Sequence, residues 1–398
     1  MTLDIKENLL STFDFSYLFN TNISLYIHFP FCVKKCAFCP IKTEKYGLCF
    51  VSDYIETLKN EIVVHMKELD GSKMKVESIH FGGGTPSLME ASQLDGILNT
   101  ISQFINIESS EIIFEMHPKL IKHELLQYLS ELQNCTANLG VQSFNDSVLL
   151  STNRHYNHLD ILHIVELIKK KVGTIGIDYI CDWQTADLKT LETDLKYIEL
   201  IHPDHISQYP LYTKPHRPDK KHVDFRDRAT KDISKKEALN HMCERYLNHM
   251  GYNRYSIFHY ENKKSVSHIY GRRQLTGGKW IGFGADAYTY LGDLMWLNSN
   301  IDDYRKGNFI YKQCRLDYRD RFLWEFLFLI RTIPLSKETV IKKYEKTILK
   351  SLDLVIQKLQ ERHYIDSAND ISLTWNGVIH LDDVERLITN VFVKGTQS

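Results

Sequence analysis

The stretch Leu25-Tyr26-Ile27-His28-Phe29-Pro30-Phe31-Cys32-Val33-Lys34-Lys35-Cys36-Ala37-Phe38-Cys39 decides how this chain is read. An apolar run that reads as a strand over 24–28 ends directly in a Cys-x3-Cys-x2-Cys loop. Three thiolates can hold three irons of a [4Fe–4S] cluster and leave the fourth open, whereas a closed electron-transfer cluster takes four cysteines. An open iron can bind a substrate or cofactor, so the spacing points to chemistry at the cluster. A zinc site is the competing use, but zinc prefers four ligands and usually paired Cys-x2-Cys. His28 as a fourth ligand would have to reach back from the strand. A disulfide is disfavoured, because eight cysteines without a secretory segment fit a reducing compartment.

Composition narrows the classes further. The 398 residues allow about two to three domains. With 49 basic against 50 acidic residues there is no electrostatic case for bulk nucleic-acid binding. At 43% apolar residues the chain can build substantial cores. No apolar run approaches the ~20 residues of a membrane span, and the polar start does not resemble a signal or transit peptide. The expectation is a soluble, cytoplasmic protein.

Short apolar runs alternate with helical patterns through the first two hundred residues. Strands are expected at 24–28, 76–81, 111–115, 137–141, 174–179 and 205–209. Helices are expected at 52–68, 91–104, 121–132, 159–170 and 188–198. This order argues for an α/β fold, a parallel sheet covered by helices and curled into a partial (βα)6 barrel. In such barrels the active site lies at the carboxyl ends of the strands. The cysteines follow the first strand, Gly82-Gly83-Gly84-Thr85-Pro86 follows the second, Glu115 ends the third, Gln142 follows the fourth, and Asp178 sits in the fifth.

The rest divides by composition. The expected organisation is an N-terminal extension (1–23), the barrel core (24–212), an insertion and barrel-closing segment (213–318) and a C-terminal, mainly helical module (319–398). Within the third part, 214–236 reads as a charged loop and 235–250 as a helix. The last part reads as helices, a short hairpin at 371–377 and a final helix near 381–393, a winged-helix-like pattern without a basic recognition face.

Taken together, Tyr26-Ile27-His28-Phe29-Pro30-Phe31-Cys32, the three cysteines, Phe81-Gly82-Gly83-Gly84-Thr85-Pro86-Ser87 and Gly140-Val141-Gln142-Ser143-Phe144 resemble the radical S-adenosylmethionine (SAM) superfamily. Within it they resemble the oxygen-independent coproporphyrinogen III oxidase-like (HemN/HemW-like) group, which includes class C radical SAM methyltransferases. The likeness runs from about residue 25 to residue 393. It implies a [4Fe–4S] cluster on Cys32, Cys36 and Cys39 whose open iron chelates SAM. Reduction then cleaves the sulfonium C–S bond and gives a 5′-deoxyadenosyl radical. A low-potential electron donor such as flavodoxin or ferredoxin is implied as a partner.

Several residues take roles from the resemblance. Phe38 matches the aromatic whose backbone reads the adenine edge, and Gly82, Gly83, Gly84 and Thr85 match the segment at the methionyl ammonium. Tyr26, Glu115, Gln142, Arg154 and Asp178 match polar contacts to SAM, with Arg154 the carboxylate partner and the two acids suited to ribose hydroxyls. His28, Tyr209 and Tyr212 read either as cavity walls or as aromatic packing. Cys49, Cys135, Cys243 and Cys314 read as core residues, while Cys181 stays open. Arg272 and Arg273 read either as a grip for an anionic substrate or as a solvated turn.

Departures from the pattern set the subclass. Coproporphyrinogen oxidases carry another cysteine two positions after the third, where this chain has Ile41. HemW-type haem chaperones carry His-Asn-x-x-Tyr-Trp, of which only His268 survives. The usual Gly-Leu-Pro-Gly-Gln-Thr has become Cys181-Asp182-Trp183-Gln184-Thr185, and Glu-x-Asn-Pro has become Glu115-Met116-His117-Pro118. The expectation is therefore a class C methyltransferase acting on a specialised metabolite, using two SAM molecules, with 282–285 near the second. The alternatives are a haem-binding chaperone with His268 and Cys181 as candidate ligands, and a tetrapyrrole oxidase with Arg272 and Arg273 on its propionates.

Overall fold

The computed structural model describes residues 14–183, 185–211, 232–262, 268–344 and 348–394. In chain order its strands are β1 (Asn22–Phe29), β2 (Phe31–Cys32), β3 (Glu44–Lys45), β4 (Lys75–Gly83), β5 (Glu111–Met116), β6 (Cys135–Gln142), β7 (Thr174–Tyr179), β8 (His205–Gln208), β9 (Tyr252–Arg254), β10 (His259–Asn262), β11 (Lys279–Phe283), β12 (Tyr288–Tyr290), β13 (Leu294–Asn298) and β14 (Ile310–Arg315). All but the small β2–β3 pair form one sheet, ordered β14-β13-β12-β11-β1-β4-β5-β6-β7-β8-β10-β9. The central run from β11 through β1 to β8 is parallel, and both flanks are antiparallel. The fold is thus mixed α/β around a large parallel sheet.

Each inner strand carries two different faces. In β1, Ile23, Leu25, Ile27 and Phe29 are buried in the main apolar core and alternate with Ser24, Tyr26 and His28. In β4, Ile79 and Phe81 alternate with Ser78 and His80, and register sets Tyr26 beside His80. The apolar set shares its core with Tyr54, Leu58 and Ile62 of helix Leu48–Glu68 and with Leu94, Ile97 and Ile101 of helix Ala91–Ser102. A strand's period of two sends the polar set to the opposite face, away from the helices.

The crossover helices are started by local chemistry. Asn157 and Asp160 form a capping box for helix His158–Lys171, whose last turn carries Lys169, Lys170 and Lys171. Asp187 and Thr190 do the same for Leu188–Ile201. Elements expected from the sequence fall within a few residues of these. The seventh parallel strand, β11, was not among the expected strands, because Gly282 and Gly284 interrupt its apolar run. A Cβ on Gly282 would stand 2.3 Å from the Tyr288 carbonyl oxygen, so glycine here lets β12 pack closely.

The charged segment expected at 214–236 lies largely outside the described residues, and helix Ile233–His249 follows it. C-terminal to the sheet come helices Tyr318–Leu329, Lys337–Lys343, Leu349–Glu361, Trp375–Ile379 and Leu381–Lys394, with their own apolar core. The expected hairpin at 371–377 is corrected. Only isolated bridges form there, at Ile365–Leu373 and Ser336–Asp370, and Thr374 instead accepts from the Gly377 N–H and starts a helix. This helical part is tied to the sheet by polar contacts. Glu325 accepts from the Tyr290 hydroxyl at 2.6 Å, and the Ile257 N–H donates to the Arg331 carbonyl at 2.8 Å.

Candidate active site

A cavity of about 740 Å³ opens at the carboxyl ends of the parallel strands. The polar faces of β1, β4, β5, β6 and β7 all reach it, through Tyr26, His80, Glu115, Asn138 and Asp178. Of the residues singled out in the sequence, Cys32, Cys36, Cys39, Phe38, Gly83, Gly84, Thr85, Gln142 and Arg154 also line it. Gly82 does not, and its role is to leave room. A Cβ there would lie 2.6 Å from Glu115 Oε1.

The cysteine loop is held from both sides. The Cys39 N–H donates to the Cys36 carbonyl (3.2 Å), the Ala37 N–H to Thr152 (3.1 Å) and the Tyr46 N–H to Cys32 (3.0 Å). The Thr85 hydroxyl lies 3.3 Å from Cys32 Sγ. All three cysteines are half-buried. Burial pushes the Cys32 thiol up and the Cys39 thiol up to about 11.

Behind the loop the glycines answer to space. Gly83 takes φ of 109°, and a Cβ would meet the His28 ring at 2.4 Å. At Gly84 it would meet the carbonyl oxygens of Phe31 (2.6 Å) and Phe29 (2.8 Å), because this turn is laced to the cysteine strand by Gly84 N–H to Phe29 and Thr85 N–H to Phe31.

Two carboxylates face the same space. Glu115 Oε1 pairs with His80 Nε2 at 2.9 Å, and Oε2 accepts from the Gly83 N–H at 3.3 Å. Asp178 accepts from Asn138 Nδ2 at 3.1 Å, and burial, with Glu115 nearby, pushes its carboxyl up to about 6. Gln142 sits at a register shift with φ of 69°, its carbonyl taken by the Ile180 N–H. Arg154 is buried, and its Nη1 donates to the Gly140 carbonyl (2.7 Å) and the Tyr156 hydroxyl (2.6 Å). Its guanidinium lies 5.5 Å over the Phe38 ring. Burial works against its charge, but Tyr156 and the thiols of Cys36 and Cys39 outweigh that and hold its pKa raised.

The opposite wall comes from 209–211, 258–259, 268–275 and the C-terminal part, and includes Phe258, His259, His268, Tyr270, Phe328 and Arg331, of which the sequence singled out only Tyr209 and His268. Tyr270 stacks on Tyr26 at 5.5 Å and 16°, and His268 stacks on His205 at 4.3 Å and 4°. No motif spacing marks Phe258, His259, Tyr270, Phe328 or Arg331. The polar alternation in β4 and β8 was the available signal for His80 and His205.

Other expectations need correction. His28 is buried under Gly83 and does not line the cavity, and burial pushes its imidazole down to about 4. Tyr209 does line it, while Tyr212 lies outside the described residues. Cys181 is enclosed between Gln208 and Asn240, away from the cavity, so it cannot reach a ligand there. Cys49, expected in the core, is exposed at the start of its helix. Arg272 is paired with Glu261 and Arg273 with Glu77. Residues 282–285 do not line the cavity, since Gly284 packs on the His28 carbonyl and the Tyr54 hydroxyl.

Among the described residues no three His, Cys, Asp or Glu side chains converge on one metal ion. The cysteine loop is therefore not a preformed single-ion site. In a cuboidal cluster each cysteine takes its own iron, which suits three separate half-buried thiols on one loop, and the irons' charge offsets the burial that disfavours thiolates. The donor set fits such a cluster.

Comparison with known proteins agrees. Residues 26–193 match the radical SAM superfamily. The haem chaperone HemW of Buchnera aphidicola (Schizaphis graminum) is 26% identical over 362 residues, covering 87% of this chain and 93% of that protein. HemW of Bacillus subtilis is 24% identical over 369 residues, covering 89% and 96%. The oxygen-independent coproporphyrinogen III oxidase of Synechocystis is 27% identical over 192 residues, 48% of this chain and 41% of that protein. The solved coproporphyrinogen III oxidase (HemN) of Escherichia coli superposes with a TM-score of 0.77 at 20% identity, over 93% of this chain and 90% of that one. Residues 26–193 thus form a radical SAM domain, a family that implies a [4Fe–4S] cluster and SAM. Over most of its length the chain is similar to proteins of the HemN/HemW-like group, and its fold is that of HemN. No helix among the described residues is long and apolar enough to cross a membrane.

Proposed function

We propose that this chain holds a [4Fe–4S] cluster on Cys32, Cys36 and Cys39, binds SAM beside it, and directs the radical at a small molecule in the same cavity. The finer reading is methylation of an sp2 carbon with a second SAM as methyl donor. The observation that carries the reading is one continuous cavity lined by the cysteines, the glycine turn and two carboxylates on one side and by an aromatic wall that meets them at Tyr26 and His80. Bound there, the cluster and SAM supply one-electron cleavage of the sulfonium C–S bond.

The chain's own residues position and shelter that chemistry. The Glu115 carboxylate, fixed by His80 and Gly83, is an acceptor for the methionyl ammonium or a ribose hydroxyl, and Asp178 is a second acceptor steered by Asn138. Arg154, already pinned on one nitrogen, is the cation beside the cysteine loop and the partner for the SAM carboxylate. What supports methylation over tetrapyrrole oxidation is that Arg272 and Arg273 are spent on Glu261 and Glu77, and that Ile41 lines the cavity where a further cysteine would stand. The second SAM has no seat at 282–285.

Haem trafficking is the second reading, favoured by near full-length similarity to proteins named as haem chaperones, with His268 on the cavity wall. The test is anaerobic reconstitution with iron and sulfide, reduction with SAM, and mass spectrometry for 5′-deoxyadenosine and S-adenosylhomocysteine. Both products, the second depending on the cluster, support methylation. Deoxyadenosine alone supports SAM cleavage and leaves oxidation and methylation to be separated with an acceptor present. Neither product, with stoichiometric haem uptake, favours trafficking.

A further inference from the structure

His268 occupies a backbone conformation that its side chain disfavours. Its φ is 70°, in the left-handed region, and it is only 7% exposed. Strain of this kind persists only where the surroundings impose it, and it concentrates at functional positions. Here the surroundings do impose it. The backbone N–H groups of His268 and Ile269 donate to the two oxygens of the Glu111 carboxylate at 2.7 and 2.6 Å. His205 covers one face of the ring at 4.3 Å. Gly271 makes way for it, since a Cβ there would lie 2.4 Å from His268 Nδ1.

That arrangement leaves the two ring nitrogens unlike. Nδ1 is buried against Gly271 without a hydrogen-bond partner. The residue nonetheless lines the cavity, so Nε2 is the nitrogen left to meet a ligand. A histidine that ligates a metal almost always donates its other N–H to an acceptor, which fixes the tautomer. Nδ1 has none. Leaving Nδ1 as the unprotonated nitrogen puts the proton on Nε2, aimed into the cavity. Burial and the neighbouring His205 and His259 hold the ring neutral.

The walls beside it are flat and the nearby cations are committed. Tyr270, Phe258 and Phe328 bound the space. Arg331 is charge-paired with Glu385 and Arg272 with Glu261, the latter stacked on Tyr255 at 3.8 Å, although the Nε of each finds no hydrogen-bond partner. The cavity's lysines belong to the cysteine loop and to the segment after β5.

We propose that this side of the cavity takes an uncharged, planar aromatic compound bearing a carbonyl, and that His268 fixes its orientation by donating from Nε2–H to the carbonyl oxygen. The proposal rests on the reading of the cysteine side as the SAM site. It differs from haem ligation, for which the orphaned Nδ1 is unsuited, and from polycarboxylate binding, for which no cation is free among those named.

The test is equilibrium binding to anaerobically reconstituted, unreduced protein. SAM is titrated first, then 4-quinolone, chromone and acridone, with coproporphyrin III and haemin as the charged comparators. Wild type should bind at least one neutral compound about tenfold more tightly than coproporphyrin III, the discrimination expected of one buried hydrogen bond and an unpaired charge. His268→Gly suits the left-handed backbone and keeps the Glu111 clamp, so it should fold and lose about tenfold in that affinity, whereas His268→Gln should stay within about threefold. SAM binding with no neutral compound bound overturns the substrate class alone. Absence of SAM binding overturns the reading beneath it. A stoichiometric Soret shift with haemin that vanishes in His268→Gly overturns the donor role.

Discussion

Gly83 and His268 border one cavity on either side of the Glu115–His80 pair, and both hold a positive φ. On the cysteine side the position is glycine, because His28 fills the space a side chain would need. On the other side it is histidine, whose ring occupies a slot between His205 and Gly271. The first side solves a packing problem with the residue that fits the backbone. The second keeps an ill-suited residue in place with a carboxylate clamp. A strained side chain retained on a cavity wall points to a use for the side chain, and a glycine points to the lack of room for one.

The contrast can be broken in several ways. The largest effect should come from the cysteine loop. Cys36→Ala should lose essentially all iron–sulfur absorbance while circular dichroism stays that of the folded chain, because the loop lies outside the apolar core. Glu115→Ala removes the acceptor shared by His80 and Gly83 and should weaken SAM binding by roughly ten- to a hundredfold, read by calorimetry, the range for one hydrogen bond to a charged group.

Asp178 gives a pH test of the same side. Its carboxyl titrates at about 6, raised by burial, so it is ionised at pH 8 and protonated at pH 5. If it accepts from SAM as a carboxylate, affinity is full above 6 and falls by up to about tenfold per unit below it. Asp178→Asn should be weaker above pH 6, approach the protonated wild type well below it, and lack that inflection. An identical pH profile in wild type and variant would take Asp178 out of the SAM site.

The smallest effects compare Gly83 and His268 directly. Gly83→Ala forces a methyl group into the His28 ring and should cost about 1–3 kcal/mol, seen as a lower Tm. His268→Gly relieves backbone strain but forfeits ring packing, so its Tm should move far less. Equal losses at both positions would remove the contrast.

The two sides also differ in how readable they were. The cysteines, glycine turn and Glu115 sit within a hundred residues on consecutive strands, so a fixed local spacing carries their geometry. Phe258, His268, Tyr270 and Phe328 meet only after an antiparallel flank and a helical module fold back over the sheet, and no local pattern encodes that. One signal was present and unread. A parallel strand buried on both faces is nearly continuously apolar, yet β1, β4 and β6 interleave Tyr26, His80 and Asn138 among apolar residues, marking a face turned toward a polar cavity. Gly282 and Gly284 hid β11 for a physical reason, since glycine breaks the strand pattern yet serves close strand packing. Thr374 and Gly377 misled at the C terminus, where a capped helix replaced the expected hairpin.

The most direct measurement is 5′-deoxyadenosine formation from SAM by the anaerobically reconstituted, reduced protein, with Cys36→Ala assayed beside it. The account predicts product from the wild type and none from the folded variant. Deoxyadenosine from Cys36→Ala at the wild-type rate would contradict it.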